Sequence, residues 1–246
     1  MQRHKRALIS VFISIPIIFS SGCTEKDRSI YFPLAKKMQW QYLTTMVYTR
    51  RSVESKLILE NIGSKIIEGK TVFTKLHHNG QKTYFFQTED AILRNAEEPA
   101  ISNEDADKES HFVIPTNLKE GKQWQLNSRP YVMERAIEYE VALQNSTPAL
   151  KLSRPLKMNF KLLSLDEEVN VPAGRFNQCA KIQGKGICYM SAIGGNFSGQ
   201  IEINVEHTDW YCPGIGLTKT IRSEVNSNNM IDPVSYHLEL QKVIEK

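Results

Sequence analysis

Two short histidine groupings come nearest to chemistry in this sequence. His207-Thr208-Asp209 sets an imidazole and a carboxylate two residues apart. On a strand that spacing puts both on one face, the direction an oriented general base requires. No nucleophile elbow such as Gly-x-Ser-x-Gly accompanies it, so the pair reads as part of a polar strand face. His77-His78 precedes Asn79-Gly80. Neighbouring strand residues point to opposite faces, so these two cannot converge on one ion, and both read as solvated residues of a hairpin tip. The acidic stretch 97–110 carries Glu97, Glu98, Glu104, Asp105, Asp107 and Glu109. It lacks the spaced ligands and turn glycine of a calcium loop. Gly194-Gly195-Asn196 lacks the strand–helix setting of a phosphate loop. The residues therefore predict no catalytic site, no metal and no cofactor: not an enzyme.

The cysteines and the charge narrow the class further. Cys179, Cys188 and Cys212 show no metal-ligand spacing. In an oxidising compartment two of them are expected to pair and one to remain as a buried thiol, with the pairing left open. The chain has 246 residues and a formal charge of +4. Residues 1–22 hold three of the 31 basic residues and none of the 27 acidic ones, so the remainder carries only +1. That is no basic footprint for nucleic acid, and this partner class is dropped.

The first residues carry an address. Arg3, Lys5 and Arg6 precede an apolar run from Ala7 to Phe19, interrupted by Pro16. A basic region, a short apolar core and a small-residue site have the anatomy of an export signal, and the run is too short for a bilayer-crossing helix. Ser20-Ser21-Gly22-Cys23 resembles the lipobox of bacterial lipoproteins, in which the cysteine is acylated and becomes the new N-terminus. That resemblance implies a signal peptide over 1–22, lipidation at Cys23, a tether over 23–30 and one β domain over 31–246. Thr24, where an aspartate would signal inner-membrane retention, implies the periplasmic face of the outer membrane. Acyl chains contribute about 0.8 kcal/mol per buried CH₂, enough in combination to anchor a protein without a transmembrane helix.

The elements that must position any site are read from alternation. Ile201, Ile203 and Val205 alternate with Glu202, Asn204 and Glu206. Tyr236, Leu238 and Leu240 alternate in the same way, as do Ile137, Tyr139, Val141 and Leu143. Trp40, Tyr42, Thr44, Met46 and Tyr48 repeat the pattern near the start. Period two predicts half-exposed antiparallel strands. Asn79-Gly80, between Val72–Leu76 and Tyr84–Phe86, predicts a two-residue hairpin turn with both residues at positive φ. Gly184-Lys185-Gly186 is read as a second turn, and Gly194-Gly195-Asn196 as a third. Stretches 97–110, 144–155 and 223–233 read as loops. Helical periodicity is weak, predicting at most one or two short helices, one around Asp90–Asn95.

Three segments carry a wider likeness. Tyr31-Phe32-Pro33-Leu34 is followed by Trp40-Gln41-Tyr42; then come Val169-Asn170-Val171-Pro172-Ala173-Gly174-Arg175-Phe176 and Trp210-Tyr211-Cys212-Pro213-Gly214-Ile215-Gly216-Leu217. Their order resembles a broad family of uncharacterised bacterial envelope lipoproteins, over most of 31–245. The chain departs from that pattern at Lys36-Lys37-Met38 and at Cys212. The resemblance implies a mostly β fold, a curved antiparallel meander similar to the half-barrels of lipoprotein-carrier proteins, and no catalytic activity. Structural roles account for the motif residues: Pro172 with Gly174, and Pro213 with Gly214, as corners; Gly216 as a close backbone approach. Trp210 and Tyr211 would face opposite sides of one strand, and Trp40, Tyr42 and Phe176 would pack.

Two functions follow as expectations. A curved sheet can enclose a lipid, an acyl chain or another apolar ligand on its concave face. The alternative is an accessory subunit docking on an envelope protein through a sheet edge or loops.

Overall fold

A computed structural model of the chain describes residues 28–34, 37–48, 51–67, 69–98, 111–143, 149–152, 155–194, 197–227 and 232–245. A 3₁₀ turn, Arg28–Tyr31, leads into β1 (Met38–Tyr48), β2 (Arg51–Ile67), β3 (Lys70–His77), β4 (Lys82–Gln87) and β5 (Ala91–Glu98). Then come β6 (His111–Pro115), β7 (Gln123–Ser128), the helix α1 (Tyr131–Leu143) and β8 (Ala149–Leu152). The chain finishes with β9 (Leu156–Val171), β10 (Gly174–Gly194), β11 (Phe197–Cys212), β12 (Gly216–Asn226) and β13 (Val234–Glu245).

All described strand pairs are antiparallel. Their order is β6-β5-β4-β3-β2-β1-β13-β12-β11-β10-β9-β7, with β8 added to the far end of β10. The predicted curved antiparallel meander is present, and it curls until its edges meet. The Phe112 ring on β6 lies 5.8 Å from Trp124 on β7, and Trp124 stacks on Phe160 of β9 at 5.8 Å. The result is a nearly closed barrel, sealed at its seam by rings in place of a described β6–β7 ladder.

Hairpins chain the strands together, and their turns obey local stereochemistry. Pro172-Ala173 turns β9 into β10, with Val171 opposite Gly174 at φ 135°. Pro213-Gly214 turns β11 into β12: Ile215 N–H donates to Cys212 O at 3.1 Å, and Gly214 has φ 73°. Proline second and a positive-φ glycine third are the signature of a type II turn. At Asn79-Gly80 the hairpin is present but its turn differs from the expectation. Gly80 N–H donates to His77 O, His77 N–H donates to Gln81 O, and positive φ falls on Gly80 but not on Asn79. The loop is a three-residue one, His78-Asn79-Gly80, with Gly80 supplying the left-handed step. Asn79 instead accepts the Gln81 N–H at 3.1 Å through its side chain.

Several sequence expectations are corrected, among them the loop read over 144–155, which contains β8. Gly184-Lys185-Gly186 is no turn; it lies within β10. A Cβ at Gly184 would run into the Phe160 ring, and one at Gly186 would meet Lys157 O at 2.7 Å. These glycines let β9 side chains lie flat on β10, the close approach that glycine within a strand often marks. Asp90–Asn95 is not helical: Glu89-Asp90 is a tight connection, clasped by Thr88 N–H to Ala91 O at 2.8 Å, and β5 follows. Residues 137–143 are not a strand but the second half of α1. Val132, Met133, Ala136 and Ile137 form one buried helical face against Leu156, Met158, Met190, Ile201, Ile203 and Val234. Stretch 223–233 also begins as strand, since β12 runs to Asn226.

The signal at 1–22, Cys23 and the first part of the tether lie outside the described residues, as do Gly195, Asn196, most of the acidic stretch and 144–148. Cys179 and Cys212, opposed on β10 and β11, form a disulfide. Among the described residues Cys188 is the free cysteine, and it is buried. Burial pushes its thiol up to about 12, and the carboxylates of Glu224 and Glu134 add to the effect.

Candidate functional site

The barrel is not packed solid. Between the cluster under α1 and the clusters around Phe32 and Trp40 lies a cavity of about 370 Å³. That is within the range of small-ligand pockets, roughly 300–1,000 Å³. Its wall is mainly aromatic and aliphatic: Phe32, Trp40, Tyr42, Leu59, Phe85, Phe112, Trp124, Leu126, Phe160, Ile182 and Tyr211 contribute. Strands from both sides of the seam line it, so the cavity sits directly behind the β6–β7 closure.

Into this wall project a few polar groups. Lys75 is 8% exposed, although a lysine is seldom buried unless paired. It sits on β3 in phase with Phe73 and His77, so its side chain points inward. Its Nζ lies 4.2 Å from the Trp40 ring centroid, 4.3 Å from Phe32 and 5.5 Å from Phe85. Among the described residues no carboxylate pairs with it. Burial lowers its pKa from 10.5 to about 7, because a charge removed from water loses its hydration.

Across the cavity His207 and Asp209 share a face of β11, as the spacing predicts. His207 Nε2 lies 2.9 Å from Asp209 Oδ2, and Thr220 Oγ1 donates to Asp209 Oδ1 at 2.6 Å. Among the described residues His207 Nδ1, which is buried, has no hydrogen-bond partner, and neither has Trp124 Nε1, whose indole contacts the same Phe160 ring. A buried polar atom without a partner costs about 1–3 kcal/mol, so these two atoms mark positions where a bound molecule's polar groups would be stabilised. Burial, reinforced by Asp209, raises the Tyr211 phenol well above its ordinary value and keeps it neutral.

β12 supplies the rest of the polar lining through an inversion of the usual pattern. Its buried phase is Gly216, Thr218, Thr220, Arg222, Glu224 and Asn226, while Leu217, Ile221 and Val225 are only half-buried. Arg222 Nε donates to Glu224 Oε1 at 2.6 Å, Arg222 Nη2 donates to Arg129 O at 2.6 Å, and its guanidinium lies 4.3 Å over Tyr131. Glu224 Oε2 in turn accepts the Met133 N–H at 2.7 Å. A carboxylate at a helix N-terminus satisfies an orphan amide and complements the dipole. This pair therefore docks α1 under the cavity and is spoken for.

The histidines at the β3–β4 hairpin divide. His78 is exposed at the tip, as expected of a solvated residue. His77 is not: it lines the cavity and shares a 2.8 Å hydrogen bond with Thr83 Oγ1.

The structure brings all three motif segments into one apolar cluster, where Trp40 and Tyr42 meet Val169, Val171 and Phe176 and also Cys212, Ile215 and Leu217. Trp40 Nε1 donates to Ile215 O at 2.7 Å and Tyr42 Oη donates to Leu217 O at 2.9 Å, so the Trp-x-Tyr of β1 holds the start of β12. Gly216, at φ 92°, would place a Cβ 3.2 Å from Pro33. Tyr211 lines the cavity, whereas Trp210 is half-buried with Lys181 Nζ 5.7 Å above its ring. Pro172, Gly174 and Phe176 lie away from the cavity at the β9–β10 hairpin, where Phe176 packs against the cluster around the disulfide. Pro213 and Gly214 form the β11–β12 turn. Sequence reasoning missed Lys75, Trp124, Phe160 and Arg222. Only an inward-phase lysine between Phe73 and His77 could have signalled the first, and both faces of that strand carry apolar residues.

No family model matches the chain and no curated protein is similar to it. Among solved structures, the chain is similar to a candidate lipoprotein from Parabacteroides distasonis ATCC 8503, at 12% identity and a TM-score of 0.37, over 87% of this chain and 98% of that one. It is also similar to a candidate exported protein with a YmcC-like fold from Bacteroides fragilis NCTC 9343, at 13% identity and a TM-score of 0.37, over 88% and 99% of the two chains.

Proposed function

We propose that this chain is a lipid-anchored envelope protein whose β domain holds an acyl chain or similar apolar ligand inside the barrel, without catalysing a reaction. The observation that carries this reading is the aromatic-walled cavity of about 370 Å³ behind a seam closed by side chains. The rings pack on one another at the seam and around Phe32 and still line open volume, and concave apolar volume of this size is typical of small-molecule sites. The export signal and Cys23 supply the anchoring half of the proposal, on the periplasmic face of the outer membrane. The full-length lipoprotein, extracted in mild detergent, should show in native mass spectrometry an acyl-lipid adduct that is lost on denaturation, in addition to any covalent anchor. Only the adduct-free mass, with no uptake of a lipid offered in micelles, would overturn the reading.

One observation favours a second reading. Each of β6 and β7 has a single described strand neighbour. An edge strand can add a partner's strand through backbone hydrogen bonds, which suits an accessory subunit.

A further inference from the structure

The cavity is apolar by area but not neutral. Of the groups facing it, Lys75, Arg94, Arg222 and the two histidines can carry positive charge, against the single carboxylate of Asp209. Most of this charge is already matched within the protein. Arg222 is held by Glu224, Asp209 is held by His207 and Thr220, and His77 is bonded to Thr83. Arg94 is exposed to solvent. Lys75 is different, being buried, facing the cavity and unmatched by any described carboxylate.

The three rings around Lys75 Nζ offer the faces of their π systems, which attract a cation but do not neutralise it. An ammonium in such a cage keeps hydrogen-bond donors directed at whatever else enters. A ligand with one anionic group would complete the site, since a desolvated N⁺–H···O⁻ bond is about twice as strong as a neutral one.

Resting on the acyl-chain reading above, we propose that the ligand is a monoanionic amphiphile of the fatty-acid type, its carboxylate paired with Lys75 and its chain laid along the aromatic wall toward the β6–β7 seam. One unmatched, buried ammonium suits one negative charge. Trp124 Nε1 and His207 Nδ1, on the other side of the cavity from Lys75, are points at which water sharing the cavity with the chain can bond. The lowered pKa of Lys75 agrees with this assignment: the site lacks its counter-ion, and an arriving carboxylate would restore the charged form.

The test uses the full-length protein and a fluorescent fatty acid, cis-parinaric acid, displaced in turn by oleate and by oleyl alcohol, which share a chain and differ in charge. Wild-type protein should bind oleate at least ten-fold more tightly than oleyl alcohol. Lys75→Met should erase that preference while still binding oleyl alcohol. Lys75→Gln should do the same and serves if Lys75→Met does not fold. Equal affinity for the two ligands in wild type, or a preference that survives both substitutions, would overturn the Lys75 assignment and leave acyl-chain binding intact. Binding of neither ligand by wild type would overturn both readings together.

Discussion

Lys75→Met should make this protein more stable, not less. Two effects compete at Lys75. Burial displaces its pKa from 10.5 to about 7, and each pH unit of such a displacement is about 1.4 kcal/mol, giving a burial cost of roughly 5 kcal/mol for the charged form. At pH 7.5 the folded lysine is mostly neutral, so the cost is that of removing its proton, about 4 kcal/mol. Cation–π attraction to the three rings acts only on the fraction still charged and trims this to about 3 kcal/mol, so desolvation wins. Methionine is similar in length, apolar and adaptable to an irregular gap. For a chain of this size about 3 kcal/mol corresponds to a melting-temperature rise of roughly 6–12 °C. The pH dependence has a definite sign. Between about 7 and 10.5 the unfolded chain holds a proton on Lys75 that the folded chain has released, so wild-type stability rises with pH across that window. Below about 7 both states are protonated and the full cost is present. The cavity's other titratable groups are His77, His207, Asp209 and the tyrosines Tyr42, Tyr131 and Tyr211, with the guanidiniums of Arg94 and Arg222. Burial moves all three tyrosines above their ordinary value, clear of most of the window. Differential scanning calorimetry of both proteins from pH 7.5 to 10 measures the effect. A Met variant that melts no higher than wild type at pH 7.5, with the same pH slope, would refute the reasoning.

Three further outcomes follow from named contacts. Gly186→Ala should destabilise the protein by about 1–3 kcal/mol in urea unfolding, because the new Cβ falls 2.7 Å from the Lys157 carbonyl near the far end of the β9–β10 pairing; an unchanged midpoint would deny the close β9–β10 approach. Gly80→Val should cost about 1–3 kcal/mol through backbone strain alone, since φ is 85° and nothing crowds a Cβ there. Equal stability of the two proteins would mean that the hairpin turn has another form. Cys23→Ser should release the protein from the membrane fraction, and a variant that still sediments with membranes after a carbonate wash would end the lipobox reading.

What could be read from the sequence was whatever is decided within a few residues. Ile201, Ile203 and Val205, or Tyr236, Leu238 and Leu240, alternate because one strand face is buried, and that period is printed in the chain itself. Pro172-Ala173-Gly174 and Pro213-Gly214 carry their turn stereochemistry in their own φ preferences. A mostly β, antiparallel, curved architecture followed from these local features together with the family resemblance.

Where long-range contacts decide, the sequence misled. Residues 137–143 alternate like a strand, yet α1 forms there because Glu224, 91 residues away, accepts the Met133 N–H and because Val132, Met133, Ala136 and Ile137 find a barrel floor to cover. Gly184 and Gly186 have the composition of a turn, but the partner strand's Phe160 ring and Lys157 carbonyl occupy the space a side chain would need, so they stay extended. The cavity belongs to the same category. Lys75, Trp40 and Phe32 come from separate parts of the chain, and strand phase alone cannot say which polar residue will face inward. Sequence by itself determined most of the strands and the two proline-glycine corners, since each is a property of neighbouring residues. Only the closing of twelve strands on themselves decided that Lys75 would lose its water and stand among three aromatic rings with no described carboxylate beside it, because solvation and charge pairing depend on everything that surrounds a group in space.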